Sequence, residues 1–236
     1  LGCLSCWLLF VLRVVWVLKF SVVWFFVSLR RASMRKQCCS SAASYVYKRQ
    51  PIIPSQSFQD SLEASILYED DLLLVINKPS GLAVHGGSGI SLGLIEALRA
   101  TRSDKSYLEL VHRIDRDTSG CLVVAKKRSA LRFLQDEMRA RRILKVYYAL
   151  ASGRWPRGRR RIDAPLLASE QKSGEKIVRV DSEGKSSVTV FSVVQRFDNA
   201  TLMEATLETG RTHQIRVHAQ YVGCSLAGDV KYGSDD

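Results

Sequence analysis

From residue 51 onward the apolar positions fall into short runs separated by polar turns, the pattern of a small sheet protein with a few helices. Pro51, Pro54 and the Ser/Gln residues up to Phe58 read as an unstructured lead-in, with residues 51–64 as a linker. Ile66–Tyr68 and Leu72–Ile76 predict two short strands split by Glu69-Asp70-Asp71, the second apolar throughout and therefore buried. Asn77-Lys78-Pro79-Ser80-Gly81 ends it as a turn. Gly86-Gly87-Ser88-Gly89 is a flexible loop, and Leu92, Ile95 and Leu98 then mark one face of a helix. Leu108–Val111 and Cys121–Ala125 are strand-length runs on either side of the polar segment His112–Gly120. Leu131, Leu134 and Met138 place a helix next, and Ile143–Leu150 a strand. Residues 169–186 read as loop. Val188–Val194 and Thr201–Glu208 form a hairpin about Asp198-Asn199, with Met203, Ala205 and Leu207 alternating against Glu204, Thr206 and Glu208. Thr212 is the expected cap of a last helix with Ile215, Ala219 and Val222 on one face and Gly223 as its stop. Hairpins with three interspersed helices give an α+β class with a mixed or largely antiparallel sheet.

Composition changes this picture mainly at the N-terminus. With 46% apolar and 25% charged residues, a wholly disordered chain is excluded. The net charge of +12 is uneven: residues 1–50 hold eight basic residues and no acidic one, leaving 27 basic against 23 acidic in the other 186. Residues 7–29 are rich in Val, Leu, Phe and Trp, but Arg13 and Lys19 interrupt them, against a membrane span. The basic residues of a signal peptide would precede the apolar run, and here they do not. Val46-Tyr47-Lys48-Arg49-Gln50 reads like the translated end of a sequencing adapter, so residues 1–50 are expected to be non-native, with a membrane anchor or transit segment as alternatives. Four of the six cysteines lie there: Cys3 and Cys6 have C-x-x-C spacing, but no second ligand pair stands at zinc-finger distance, and Cys38 and Cys39 are adjacent. Cys121 and Cys224 alone in the body suit a reduced, cytoplasmic protein.

Charge also gathers inside the body. Residues 126–161 contain thirteen Lys or Arg against Asp136 and Glu137, a net of +11 in 36 residues. Such crowding is either a solvated face or a polyanion-binding surface. Common machinery is absent: there is no phosphate-binding G-x-x-x-x-G-K-[ST] loop, no H-E-x-x-H, and no G-x-S-x-G elbow. His213 and His218 fall on different helix faces, so no metal is expected. Two segments remain. His112-Arg113-Ile114-Asp115-Arg116-Asp117-Thr118-Ser119-Gly120 sets two carboxylates and two guanidiniums in a loop between apolar runs, either turn-forming or catalytic. Gly210-Arg211-Thr212-His213-Gln214-Ile215-Arg216-Val217-His218 sets two Arg and two His at a helix start, either an anion site or a polar cap with a satisfied histidine.

The first segment closely resembles the H-R-L-D-x-x-T-S-G signature of the RluA-type pseudouridine synthases. Asn77–Gly81 with Val84-His85-Gly86-Gly87, Lys145–Leu150 and Thr209–Gln220 agree with further blocks of that family in the same order. The resemblance runs from about Ser65 to Gly233 and is closest to the C-type synthases of ribosomal large-subunit RNA. It implies the pseudouridine synthase fold over residues 65–236 and isomerisation of chosen uridines in RNA without metal or cofactor. Asp115 takes the place of the catalytic aspartate, Tyr147 that of the active-site tyrosine, and Arg216 that of an arginine paired with the aspartate. Arg113 matches a guanidinium inserted where the uridine leaves its stack. His112, Arg116, Arg211 and His213, with Lys126, Lys127, Arg139, Arg141 and Arg142 of the basic segment, are the expected RNA contacts.

Three departures accompany the resemblance. Ile114 replaces a leucine, residues 1–50 show no S4 RNA-binding domain, and the family core continues past Gly233, so the body is expected to be truncated at its C-terminus. Ribosomal RNA is the expected partner and a monomer the expected state. The alternatives are the same chemistry on tRNA or another RNA, and an RNA-binding module without catalysis.

Overall fold

The computed structural model describes residues 54–87, 92–102, 107–170 and 176–233; the calls on residues 1–50 lie outside them. Among the described residues no helix is long and apolar enough to cross a membrane. The order is α1 (Gln56–Ala64), β1 (Ile66–Glu69), β2 (Leu73–Lys78), α2 (Leu94–Thr101), β3 (Glu109–Leu110), β4 (Gly120–Ala125), α3 (Arg128–Arg139) and β5 (Lys145–Ser152). There follow β6 (Arg161–Asp163), β7 (Leu166–Glu170), β8 (Lys176–Val180), β9 (Val188–Arg196), β10 (Ala200–Leu207) and α4 (Gln214–Tyr221). This is an α+β fold in which every described strand pair is antiparallel.

The first sheet has strand order β1-β2-β4-β3. Its central strand β2 alternates between two cores, because successive side chains point to opposite faces. Leu74 and Ile76 pack with Leu94, Leu98, Leu122 and Val124. Leu73 and Val75 pack with Ala125 and Leu134, under α3. That double burial is why the run is apolar at every position, and truncating Leu74 to Ala would cost about 2–5 kcal/mol. The second sheet has order β5-β10-β9-β6, with β7-β8 a separate hairpin. Ala151, Phe191, Met203 and Ala205 from this sheet close with Trp155 over the Ala219 face of α4. Tyr147 packs against the cores of both sheets and so stands at the seam between them.

Three local expectations need correcting. The lead-in is helical: Ser55 caps α1 by accepting from the Phe58 N–H at 3.4 Å, while Phe58 and Leu62, four apart, reach the first core. Residues 169–186 include most of the β7–β8 hairpin, whose Leu166 and Val178 are buried against Val217 and Tyr232. Thr212 does not cap α4. The cap is His213, in the left-handed region at φ 53°, and its side chain bonds elsewhere. Gly223, at φ 81°, does end that helix.

Candidate active site

The polar segment between β3 and β4 is held from beneath. Ile114 is buried in the first core, and the Thr118 N–H donates to the Asp115 carbonyl at 3.1 Å, closing a turn with Arg116 and Asp117 at its corners. Lys78, at the end of β2 and on the same face as Leu74 and Ile76, lies under this turn. Its fully buried ammonium donates to the carbonyls of Pro79, Leu82 and Arg116 at 2.7–2.8 Å. All three of its protons are used. Burial pushes Lys78 down to about 8, against the pull of Asp117 and Asp115. The Gly81 N–H also donates to the Arg116 carbonyl, and Ser80 Oγ to that of Asp117 at 2.7 Å. The backbone on either side of Asp115 is therefore fixed.

The two carboxylates of the turn face different surroundings. Asp117 is 54% exposed and pairs with the neighbouring Arg116 at 3.2 Å. The half-buried Asp115 side chain accepts no hydrogen bond among the described residues. Its charge acts on Lys78, Tyr147, His213, Arg216 and Tyr232, so these five groups surround it. Burial, with the Asp115 charge, pushes the Tyr147 phenol up to about 12, so it is a proton donor at neutral pH.

Arg216 does not bond to Asp115. Its Nε and Nη2 donate to the two oxygens of Asp229, each at 2.7 Å, and the guanidinium lies 4.9 Å from the centre of the Tyr232 ring. Asp229 also accepts from the N–H groups of Lys231 and Tyr232 at 3.0 and 3.1 Å. The Tyr232 hydroxyl accepts from the Val178 N–H and is hydrogen-bonded to His213 Nδ1 at 2.7 Å. Burial holds His213 below its ordinary value, against the pull of Asp115 and Asp229.

Beneath the start of α4 runs a closed polar network. Gln214 Oε1 accepts from the Thr209 hydroxyl and the Arg211 N–H at 2.8 and 2.9 Å. Gln214 Nε2 donates to the Val188 carbonyl and to Thr189 Oγ1, both at 2.9 Å. Thr189 then donates to His218 Nδ1 at 2.9 Å, and His218 Nε2 donates to the Ala164 carbonyl at 3.0 Å. Each proton in the chain has one consistent direction with His218 neutral, as its burial also requires. The network ties α4, and with it Arg216, to β9 and to the segment before β7.

The expected RNA contacts divide by partner. Arg113 is exposed on the loop, and Lys127 on the surface before α3. Arg139 and Arg142 pair with Asp136 and Glu137. Lys126 follows β4 at the end remote from Gly120 and donates to Glu69 at 2.7 Å. His112 faces inward: its Nε2 accepts from the Val123 N–H at 3.2 Å, and burial pushes it down to about 4. The ring is neutral and anchors the loop. Lys78, Asp229 and Tyr232 were not picked out from sequence; for Lys78 the available sign was its in-facing parity with Leu74 and Ile76.

A family model described as RNA pseudouridylate synthase matches residues 72–221. The chain belongs to that family. The match contains the Asp115 loop, Tyr147 and Arg216, and stops short of Asp229 and Tyr232. The protein named ribosomal large subunit pseudouridine synthase C in Pasteurella multocida (strain Pm70) is 56% identical over 183 residues, 78% of this chain and 56% of that protein. Its namesake in Escherichia coli (strain K12) is 58% identical over 168 residues, 71% of this chain and 53% of that protein. The chain thus spans just over half the length of these curated relatives. Among solved structures, human RNA pseudouridylate synthase domain containing 4 superposes with a TM-score of 0.63 at 29% identity, covering 76% of this chain and 73% of that one.

Proposed function

We propose that this synthase-family chain isomerises specific uridines of large-subunit ribosomal RNA to pseudouridine. The observation that carries the reading is Asp115: a carboxylate that accepts no hydrogen bond among the described residues, on a turn fixed by Lys78, with its charge acting on Tyr147 and Arg216. An isomerisation needs no net oxidant or reductant. The C1′–N1 glycosidic bond breaks, the base turns, C1′ bonds to C5, and the proton lost from C5 is balanced by one gained at N1. Asp115 is the group that meets the reacting nucleotide, its carboxylate not tied up in a direct ion pair among the described residues. The protonated Tyr147 stacks on the base or moves its proton, and Arg216 supplies a fixed positive charge as the sugar–base bond separates. Arg113 fills the stack that the uridine leaves, which costs a few kcal/mol to open.

The relatives' names favour ribosomal RNA as substrate, and the unpaired basic residues of 126–161 supply the phosphate contacts. The free thiols Cys121 and Cys224 fit a reduced compartment, so we place the activity in the cytoplasm. The test incubates the chain and its Asp115→Asn variant with unmodified large-subunit rRNA and maps pseudouridines by carbodiimide-stop primer extension. New stops with the wild type that vanish in the variant are expected. No stops, with salt-sensitive RNA binding intact in both, would favour another RNA substrate or a binding module.

A further inference from the structure

Lys145, at the start of β5, is half-buried and has no anionic partner among the described residues. Its Nζ rests against the backbone of Gly210: a Cβ built on that glycine would stand 3.2 Å away. Arg141 and Arg211 lie close enough for their charges to act on it, and Lys145 in turn acts on His112. Arg141 occupies the left-handed region at φ 58°, and Arg211 Nε donates to the Ser186 carbonyl at 3.2 Å. The carboxylates nearby are engaged elsewhere, Glu137 with Arg142 and Glu208 with Arg161. Arg141 and Lys145 open onto a cleft of about 300 Å³ walled on its far side by Thr206–Glu208.

Three cations held together with no counter-charge repel one another, and half-burial of the central one sharpens the cost. An anion removes it. The cluster's position says which anion. Lys145 and Tyr147 are two residues apart on β5, so their side chains leave the same face of the strand. Arg211 precedes the helix that carries Arg216. The cations therefore border the space around Asp115 without entering it.

We propose that Lys145, Arg141 and Arg211 form a subsite for one backbone phosphodiester next to the uridine presented to Asp115. The proposal rests on the RNA-modifying reading above and names the part of the substrate that these residues hold. Lysine suits the centre because its compact ammonium turns three donors toward a phosphate, while the flanking guanidiniums grip its outer oxygens.

The test reads binding, not turnover, on the full chain. The probe is a 5′-labelled hairpin RNA with one uridine in an otherwise adenosine loop, followed by fluorescence anisotropy over a KCl series. Two further probes carry a methylphosphonate in place of the linkage on the 5′ or the 3′ side of that uridine. Lys145→Gln should lower the slope of log affinity against log salt by about 0.7, the value for one phosphate of single-stranded RNA. Lys145→Arg should keep the wild-type slope. One of the two neutral linkages should weaken the wild type by the same amount and leave Lys145→Gln unaffected, the sign of a shared contact. Additive losses at both linkages, or an unchanged slope in Lys145→Gln, would overturn the subsite. If that happens while Asp115-dependent pseudouridine still forms, the subsite alone falls. A wild type that binds the hairpin without salt dependence overturns both the subsite and the RNA reading.

Discussion

Replacing Asp229 by asparagine tests whether the Arg216 guanidinium is held for its task by a carboxylate other than Asp115. The pair is bidentate, with both bonds at 2.7 Å, and its side chains are 4% and 20% exposed, Asp229 the deeper. Splitting a buried ion pair costs 3–5 kcal/mol. Asparagine keeps one oxygen for Lys231 N–H and Tyr232 N–H, which puts the expected loss at the low end, about 3 kcal/mol. For a domain of this size that lowers Tm by roughly 6–12 °C. With its tether gone the guanidinium turns toward the other nearby carboxylate, Asp115, and a misplaced charge should reduce kcat by about 10²-fold with little change in KM. A pH series separates tether from packing. Burial alone would raise the Asp229 carboxyl, but Arg216 and the two backbone N–H groups outweigh it and hold it below its ordinary value. The stability it contributes is therefore complete above the unfolded carboxylate value near pH 4 and is lost as pH falls through the lower folded value. Thermal melts of the wild type should show that acid loss and those of Asp229→Asn should lack it. A variant that melts with the wild type at every pH and turns over at the wild-type rate would refute the reasoning.

Asp115→Asn should abolish pseudouridine formation. Asp117→Asn should stay within about twofold, since it disturbs only an exposed pair with Arg116 worth about 0–1 kcal/mol; carbodiimide mapping compares them. Lys78→Met leaves the Pro79 and Leu82 carbonyls without a donor, at about 1–3 kcal/mol each, while Arg116 keeps the Gly81 N–H. Removing an ammonium whose pKa burial has moved from 10.5 to about 8 returns about 3 kcal/mol. The variant should thus melt within a few degrees of the wild type yet lose kcat, because the Asp115 turn is untied. The wild type should also gain stability as pH rises from 8 to 10.5, where the unfolded chain still binds the proton, and Lys78→Met should not. His112 and His218 are both neutral and held below their ordinary values, so urea titrations should show stability falling as pH drops from about 6.5 toward 4.

How much of this was legible in the sequence follows from what each residue's neighbours reveal. The β9–β10 hairpin was readable because Met203, Ala205 and Leu207 alternate with polar residues on a strand with one buried face. The helix α1 was not, because only Phe58 and Leu62 reach the core and the Ser/Gln surroundings mask so weak a period. The β7–β8 hairpin was hidden because its burial comes from Val217 and Tyr232, more than thirty residues away in the chain. The catalytic candidates were found through resemblance, since a lone aspartate in a polar loop has no pattern of its own. That Arg216 would meet Asp229, thirteen positions on, could not be read from spacing: the chain between them passes through the end of α4 and two turns.

The three cations that bear on the site differ in what occupies their protons, and that difference assigns them different tasks. Lys78 gives all three to backbone carbonyls, so it can shape the Asp115 turn but cannot reach a substrate. Arg216 directs two donors at Asp229 and turns the rest of its charge toward Asp115, which suits a group that must stay charged and still while bonds in the nucleotide rearrange. Lys145 has no such commitment, and it lies at the border of the pocket. A cation that the fold already pairs holds the fold, whereas Lys145, in the proposal above, is left to pair with the substrate. The same reasoning predicts that loss of Lys78 is read in kcat, loss of Arg216 in kcat and stability together, and loss of Lys145 in affinity and its salt dependence.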